Sequence, residues 1–465
     1  MSEQRDRERR AVAREEPGSS LAERVRRLMP ELTSDLVRLA RIPSIAFPGF
    51  PEAPLLEAHD LVAGLLRDAG VQRVATLSLP DTAPVITGEI PGPEGAPTVL
   101  LYAHYDVQPA GDEKLWRTPP FEPTERDGAI YGRGVADDKS NVMVHVGALR
   151  AFEGKPPVGI KLVIEGQEEY GSALDTYPPQ QPELFRADAI VVGDAGNVRP
   201  GVPTLTVALR GDAEVIVEVR TLAAAKHSGE FGGPAPDALV VLLHALATLH
   251  DVRGDVAVTG LRREPWAGAS YTEDEFRRLA EIEPDMPLFG TGSLGERLWS
   301  GPALTVVGID APSVGQAVNA VIPSARAKLN LRVHPRQPAG EAQAALVRHL
   351  EGLRPFRIPL TIEAGDAGDG FAAETSGVAY EAARAALASA WGSDPVSTAS
   401  GGSIPLLNAL HEAVPDAEIL LFGAEDGQCN LHAPNERVLL DELERAVIAE
   451  AEFFREYTAR KEHQP

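Results

Sequence analysis

TVLLYAHYDVQP, residues 98–109, decides how this chain is read. Its first half is an almost unbroken apolar run, the composition of a strand covered on both faces. It then ends on His104 and Asp106, with Pro109 just beyond. GIKLVIEGQEE (159–169) likewise runs into Glu168 and Glu169, and ADAIVVGDAG (187–196) runs into Asp194. AEILLFG (417–423) enters the loop GAEDGQCNLHAPNE (423–436), which carries His432. Between the first two runs, YGRGVADDKS (131–140) sets Asp137 and Asp138 ahead of a helical stretch, KSNVMVHVGALRAF (139–152), with Val142, Val146 and Leu149 on one face. Strands alternating with helices predict an α/β fold: a mixed, mostly parallel sheet flanked by helices. In open sheets of this kind ligands bind beyond the carboxyl ends of the strands, so these polar residues are expected to converge.

Such a convergence is an electrostatic problem. Carboxylates crowded into a cleft repel one another unless a cation neutralises them. A pair of divalent metal ions is the economical solution. Imidazole and carboxylate donors without thiolate suit Zn²⁺, with Mn²⁺ or Co²⁺ also fitting. Two ions about 3.5–4 Å apart can hold a hydroxide between them and polarise a carbonyl. His104 and Asp106 are two apart in an extended segment and face the same way, so Asp106 can fix the imidazole tautomer. Glu168 and Glu169 are adjacent and diverge, leaving one for a metal and one for water as general base.

Further along, the pattern changes. TLTVALRGDAEVIVEVRT (204–221) and ARAKLNLRVHP (325–335) alternate apolar and polar residues, as half-exposed strands do. Helical periodicity covers about 236–251 and 340–353, and PLTIEAG (359–365) reads as a strand. After GDAGDGF (365–371) the α/β character returns, with helices near 376–390 and 441–457. The reading is therefore a discontinuous α/β domain, 20–206 and 368–465, with an α+β domain built on an antiparallel sheet, 207–367, inserted in it. A helix over 21–40 is expected to break or bend at Pro30. Residues 1–19, charged and without an apolar core, read as a disordered tail and not as a secretory signal.

Composition excludes some classes of partner. The formal net charge of −24 argues against nucleic acid and against an anionic membrane. No apolar run is long enough to span a bilayer. The single cysteine, Cys429, rules out an internal disulfide and fits a reducing, cytoplasmic setting. GTGSLG (290–295) fits a dinucleotide pattern but follows no apolar strand. No G-x-S-x-G surrounds Ser403, which argues against a serine hydrolase.

AHYDVQP, YGRGVADDKS, EGQEEYGS, VVGDAG and NLHAPNE, in that order, resemble the motif series of the carnosinase-like zinc dipeptidases. Their wider family takes in succinyl-diaminopimelate desuccinylase, aminoacylase and glutamate carboxypeptidase. The resemblance spans about residues 20–460. It implies two Zn²⁺ per subunit: His104, Asp137 and Asp194 on one, Asp137, Glu169 and His432 on the other, with Asp137 bridging and its bond to Asp138 cis. Glu168 matches the catalytic base. The inserted block resembles the family's lid and dimerisation domain. There AAAKHSGEFGGPAPDA (223–238) would supply an oxyanion-stabilising His227 that reaches a partner subunit, and the helix at 236–251 would face its mate in a homodimer. VIPSARAKLNLRVHP (321–335) would supply Arg332, and SGGSIP (400–405) would supply Gly402 and Ser403, for a substrate carboxylate. The activity implied is hydrolysis of the amide bond of dipeptides or related small peptides with a free carboxylate. Glu168 would act on a metal-bridging hydroxide, supported by Asp106. An N-acyl-amino-acid deacylase is the alternative within enzymes. A catalytically inactive metal-binding protein is the alternative outside them, though the base Glu168 is present.

Overall fold

The computed structural model describes residues 20–402 and 404–463. The proposed tail, 1–19, and Ser403 lie outside the described residues. Among the described residues, nine strands form the central sheet. Its middle is parallel: Gly159–Glu165, Thr98–His104, Ala189–Val192 and Glu418–Leu421 lie side by side in that order. Antiparallel strands flank them, Val85–Ile90 and Gln72–Leu77 on one side, Thr204–Leu209 and Phe371–Ala372 on the other. Val396–Ser400 pairs parallel with Thr204–Leu209. The sheet is thus mixed and parallel at its centre, as the apolar runs predict.

Alternation along Thr98–His104 explains the continuous apolar run. Val99, Leu101 and Ala103 enter one core, beneath the helices Leu21–Ala40, Ala53–Asp68, Lys139–Ala151, Val378–Trp391 and Leu440–Glu462. Leu100 and Tyr102 enter a second core on the other face, with Leu406, Leu407 and Leu410 of the helix Pro405–Ala413. Both faces of the strand are covered, so neither can be polar.

Leu21–Ala40 begins with a capping box in which Ser20 and Glu23 satisfy each other's backbone N–H groups. Of the break or bend expected at Pro30, the break does not occur: the helix runs through it. Pro30 lies on the solvent side, while Val25, Leu32, Leu36 and Leu39 on the other side hold the turns before and after it in the core.

A second, four-stranded antiparallel sheet follows the order Ala303–Asp310, Ser324–Val333, Gly211–Arg220, Thr361–Gly368. Helices Ala238–Leu246 and Ala339–Glu351 cover its apolar face. The chain passes from one sheet to the other at Arg210, so the strand Thr204–Leu209 stays in the central sheet and crosses the expected boundary at 206/207. The helix expected over 236–251 is shorter, Ala238–Leu246. Asp237 caps its start through the N–H groups of Leu239 and Val240, and the Thr248 hydroxyl turns back to the Ala245 carbonyl just past its end.

Helices Leu21–Ala40, Lys139–Ala151 and Leu440–Glu462 meet at Gly147, where a Cβ would stand 2.7 Å from Val447 Cγ1 and 2.8 Å from Leu32 Cδ1. Gly147→Ala should therefore lower stability by about 1–3 kcal/mol through overpacking. Urea unfolding measures it, and an unchanged midpoint would show that the three helices are not in such close contact.

Candidate metal centre and active site

The site forms where the parallel strands end. His104 closes its strand fully buried, and Asp194 follows its strand by two residues. Glu168 and Glu169 occupy the turn after Gly159–Glu165. Asp137 precedes the helix Lys139–Ala151, and its peptide bond to Asp138 is cis. His432 lies on the loop after Glu418–Leu421, at φ 58°. Among the described residues, three groups of donor atoms lie close enough to hold an ion, the atoms of each within 4.8 Å of one another: His104, Glu168 and Asp194; Asp137, Glu169 and His432; Asp137, Asp194 and Glu425. The five expected ligands therefore come together. Glu168 and Glu169 diverge into different groups, and Asp137 belongs to two of them.

Hydrogen bonds aim these side chains. The His104 imidazole has Nδ1 3.3 Å from Asp106 Oδ1 and Nε2 3.1 Å from Asp137 Oδ1. A proton held on Nδ1 by Asp106 leaves Nε2 facing the site. The two carboxylate oxygens of Asp106 also accept the backbone N–H groups of Glu168, at 3.0 Å, and Glu169, at 3.2 Å. One buried acid thus positions an imidazole and the acid pair together. His432 Nε2 lies 2.9 Å from Asp137 Oδ2 and 3.2 Å from Glu169 Oε2. Gln108 donates to Glu169 from its backbone and its side chain.

Sequence reasoning missed several supporting residues. Glu436 accepts N–H groups from Gly134, Ala136 and Asp137 and is paired with Arg133 at 2.7 Å, which holds the Asp137 turn in place. Asn141 donates to Asp138 Oδ1 and accepts the Ala424 N–H, tying two loops together. Glu425 is buried beside Asp137 and Asp194. The signal for Glu425 was an acid just past a strand's carboxyl end, as with Glu168. Gly423 lets this loop lie against the Asp194 loop, since a Cβ there would stand 2.3 Å from the Gly193 carbonyl oxygen.

The charges show what the site is suited to hold. Burial, and next the charge of Asp194, push Glu168 and Glu425 well above the usual carboxylate range. Burial raises Asp194 to about 7 against the pull of His104, with Asp137 and Glu169 adding to the rise. Hydrogen bonds to Asp137 and Glu169 hold the His432 proton up to about 10. Burial works against the His104 proton, but Asp106 and Asp137 outweigh it and hold that proton well above the usual imidazole range. Positive charge is thus favoured at this cluster, as a cation would be. The donors are all imidazole or carboxylate, a set that fits Zn²⁺, Mn²⁺ or Co²⁺. Cys429 is in none of the three groups; its buried sulfur accepts the Asp426 N–H.

The remaining expected residues are placed less centrally. Gly402 lines the cleft beside the cluster, with Ser400 and Ile404. Arg332 sits on Ser324–Val333 opposite Asp212, 3.5 Å from that carboxylate, and does not line the cleft. His227 is exposed in a two-stranded ribbon with Ala320–Val321, its Nδ1 accepting the Gly229 N–H, and it too does not line the cleft.

Comparison with known proteins agrees with this architecture. The family model of peptidase family M20/M25/M40 matches residues 100–456, and the chain belongs to that family. It is similar to a cysteinylglycine-S-conjugate dipeptidase of Corynebacterium striatum, at 38% identity over 86% of this chain and 90% of the relative. It is similar to the human Beta-Ala-His dipeptidase, at 30% identity over 80% of this chain and 77% of the relative. Among solved structures, human carnosine dipeptidase 1 superposes with a TM-score of 0.79 at 26% identity, covering 95% of this chain and 100% of that one. The chain is therefore a hydrolase of the metallopeptidase class. No helix among the described residues is long and apolar enough to cross a membrane.

Because both imidazoles carry protons that a metal must displace, loading the apoprotein with Zn²⁺ at pH 7 should release on the order of two protons per subunit. Metal affinity should weaken as pH falls, because lower pH favours the protonated, metal-free state. Calorimetry in buffers of different ionisation enthalpy reads both. Binding without proton release would contradict the hydrogen bonds of His104 and His432.

Proposed function

We propose that this protein is a dipeptidase with two metal ions per subunit, Zn²⁺ in preference to Mn²⁺ or Co²⁺, cleaving the amide bond of small peptides that carry a free carboxylate. The single observation that carries the reading is a pair of adjacent donor groups, His104, Glu168 and Asp194 beside Asp137, Glu169 and His432, linked by a third group in which Asp137 and Asp194 meet Glu425. The dipeptidase names of the similar proteins support the substrate class.

His104, Asp137 and Asp194 would hold one ion and Asp137, Glu169 and His432 the other. When bound, the ions lower the pKa of water and polarise the scissile carbonyl. Glu168 takes the proton of the attacking water and returns it to the leaving amine. Its burial beside Asp194 gives it the proton affinity for that exchange. Asp106 keeps Glu168 and His104 in register through the hydrogen bonds described above. The substrate carboxylate is received at Gly402, in the loop that leads into the helix Pro405–Ala413, with Ser403 as the second residue of that role. Among the described residues no side chain caps the first turn of that helix, so its N–H groups face an anion favourably.

The second domain, 207–367, acts as a lid and as the interface of a homodimer, with His227 and Arg332 completing the site when the lid and a second copy come together. Exposed Val240 and Leu243 on the helix Ala238–Leu246, with exposed Val306, Val307 and Ile309 on the edge strand, provide an apolar surface for that contact. The lone buried Cys429 suits a reducing cytoplasm.

Glu168→Ala should retain stoichiometric metal and lose turnover by a factor of about 10²–10⁴. Metal analysis beside a dipeptide assay tests it, and unchanged turnover would remove Glu168 from its role. Dipeptides should be cleaved faster than N-acetyl or N-succinyl amino acids; the reverse order would make the protein a deacylase. Leu243→Glu should shift the protein towards monomer in analytical ultracentrifugation, and an unshifted dimer would place the interface elsewhere.

A further inference from the structure

Residues 262–300 belong in sequence to the second domain but dock back onto the first. The Ala269 N–H donates to the Ser397 carbonyl at 2.8 Å. Arg199 donates to Glu275 at 3.0 Å and to the Ser270 carbonyl at 3.0 Å. Arg210, buried at the passage between the two sheets, donates to the carbonyls of Leu298 at 2.6 Å and Gly301 at 2.7 Å, on either side of Trp299. These bonds bring three aromatic rings together. Trp266 and Trp299 have ring centroids 5.4 Å apart, and Tyr271 and Trp299 5.9 Å apart. Trp299 packs on Ala208 and Ala399 of the central sheet.

Tyr271 and Trp299 line the same cleft, of about 340 Å³, as Asp137, Glu168, Asp194 and His432. Leu209 and Leu431 line it too. Two of the charged groups near this wall are already paired with others: Arg199 with Glu275, and Asp426 with Arg437. The Tyr271 hydroxyl makes no hydrogen bond among the described residues, although its ring is largely buried. What the wall offers a ligand is therefore aromatic and aliphatic surface, with one free hydroxyl at its margin. Ala399, beneath Trp299, runs directly into Ser400 and Gly402, which line the cleft.

We propose that Tyr271 and Trp299 form the subsite for the side chain of the substrate's C-terminal residue, and that they select bulky apolar and aromatic side chains there. The inference rests on the dipeptidase reading and on carboxylate binding at the 400–402 loop. A residue whose carboxylate sits on that loop places its side chain next to Ala399 and the ring of Trp299. Burying a large apolar side chain against this wall contributes binding that glycine cannot, and the differences expected for such pockets run from about ten- to 200-fold.

The test uses the metal-loaded full chain and two substrate series: Ala-Gly, Ala-Leu and Ala-Phe, against Ala-Gly, Leu-Gly and Phe-Gly. The wild type should prefer Ala-Phe to Ala-Gly by about tenfold in kcat/KM. Tyr271→Ala, with its fold checked by circular dichroism, should lower kcat/KM for Ala-Phe about tenfold more than for Ala-Gly, mainly through KM. Tyr271→Phe, which keeps the ring, should retain the preference. A gradient only in the Leu-Gly and Phe-Gly series, no gradient at all, or a gradient that survives Tyr271→Ala would overturn the subsite while leaving the dipeptidase reading intact. Failure of the wild type to cleave any of these dipeptides would overturn both.

Discussion

Asp137, Glu168, Asp194 and Glu425 share a small volume at the carboxyl ends of the parallel strands, Asp137 and Glu425 buried and Glu168 and Asp194 partly so. Their mutual repulsion, sharpened by burial, is the constraint around which the rest of the structure is arranged. The protons on His104 and His432 offset part of it through direct hydrogen bonds to Asp137. Divalent cations offset it more completely, because each can accept several carboxylates at once. The same crowding that makes the folded state depend on counter-charge makes Glu168 a good proton carrier, since its neutral form is favoured next to Asp194.

Holding such a cluster open requires rigid support, and the fold supplies it through acids that accept backbone N–H groups. Asp106 takes those of Glu168 and Glu169; Glu436 takes those of Gly134, Ala136 and Asp137. A carboxylate bound by several N–H groups holds a turn through charge-assisted hydrogen bonds, which are stronger than neutral ones. Beneath them, the buried Glu165 accepts hydrogen bonds from Tyr102 and Ser172 at the base of the Glu168 turn. The donor side chains thus stand on the ends of sheet strands, and the turns between them are locked from behind.

The cleft is composite. Its polar floor comes from the central sheet, while part of its apolar wall comes from residues 262–300, anchored by Arg199 and Arg210. The chemistry and the surface that meets a substrate side chain therefore come from two regions that the chain connects only through Arg210 and the passage from Gly368 to Phe371. Specificity can change in the second region without disturbing the donor groups of the first.

Much was legible in the residues alone. Continuous apolar runs such as 98–104 announced strands covered on both faces, and the acids and imidazoles at their ends marked the site, because a fully covered strand can turn polar only where it leaves the core. The alternation in 211–220 and 324–333 announced a sheet with one covered face, which the second domain has. Periodicity was a poorer guide to where elements end. The 236–251 segment stays apolar past Leu246, yet Thr248 and the packing of Leu249 stop the helix; Pro30 interrupts a pattern but not a helix whose other face is buried on both sides of it. Sequence order also left Glu425, Glu436 and Asn141 unmarked and hid the return of Tyr271 and Trp299 to the first domain. Local sequence determined which residues are polar at strand ends and which segments are strands, since those follow from what each residue can bury. Only the tertiary structure decided which carboxylates face one another and what walls their cleft, because charge repulsion, hydrogen bonding and ring packing act between neighbours in space that are hundreds of positions apart along the chain.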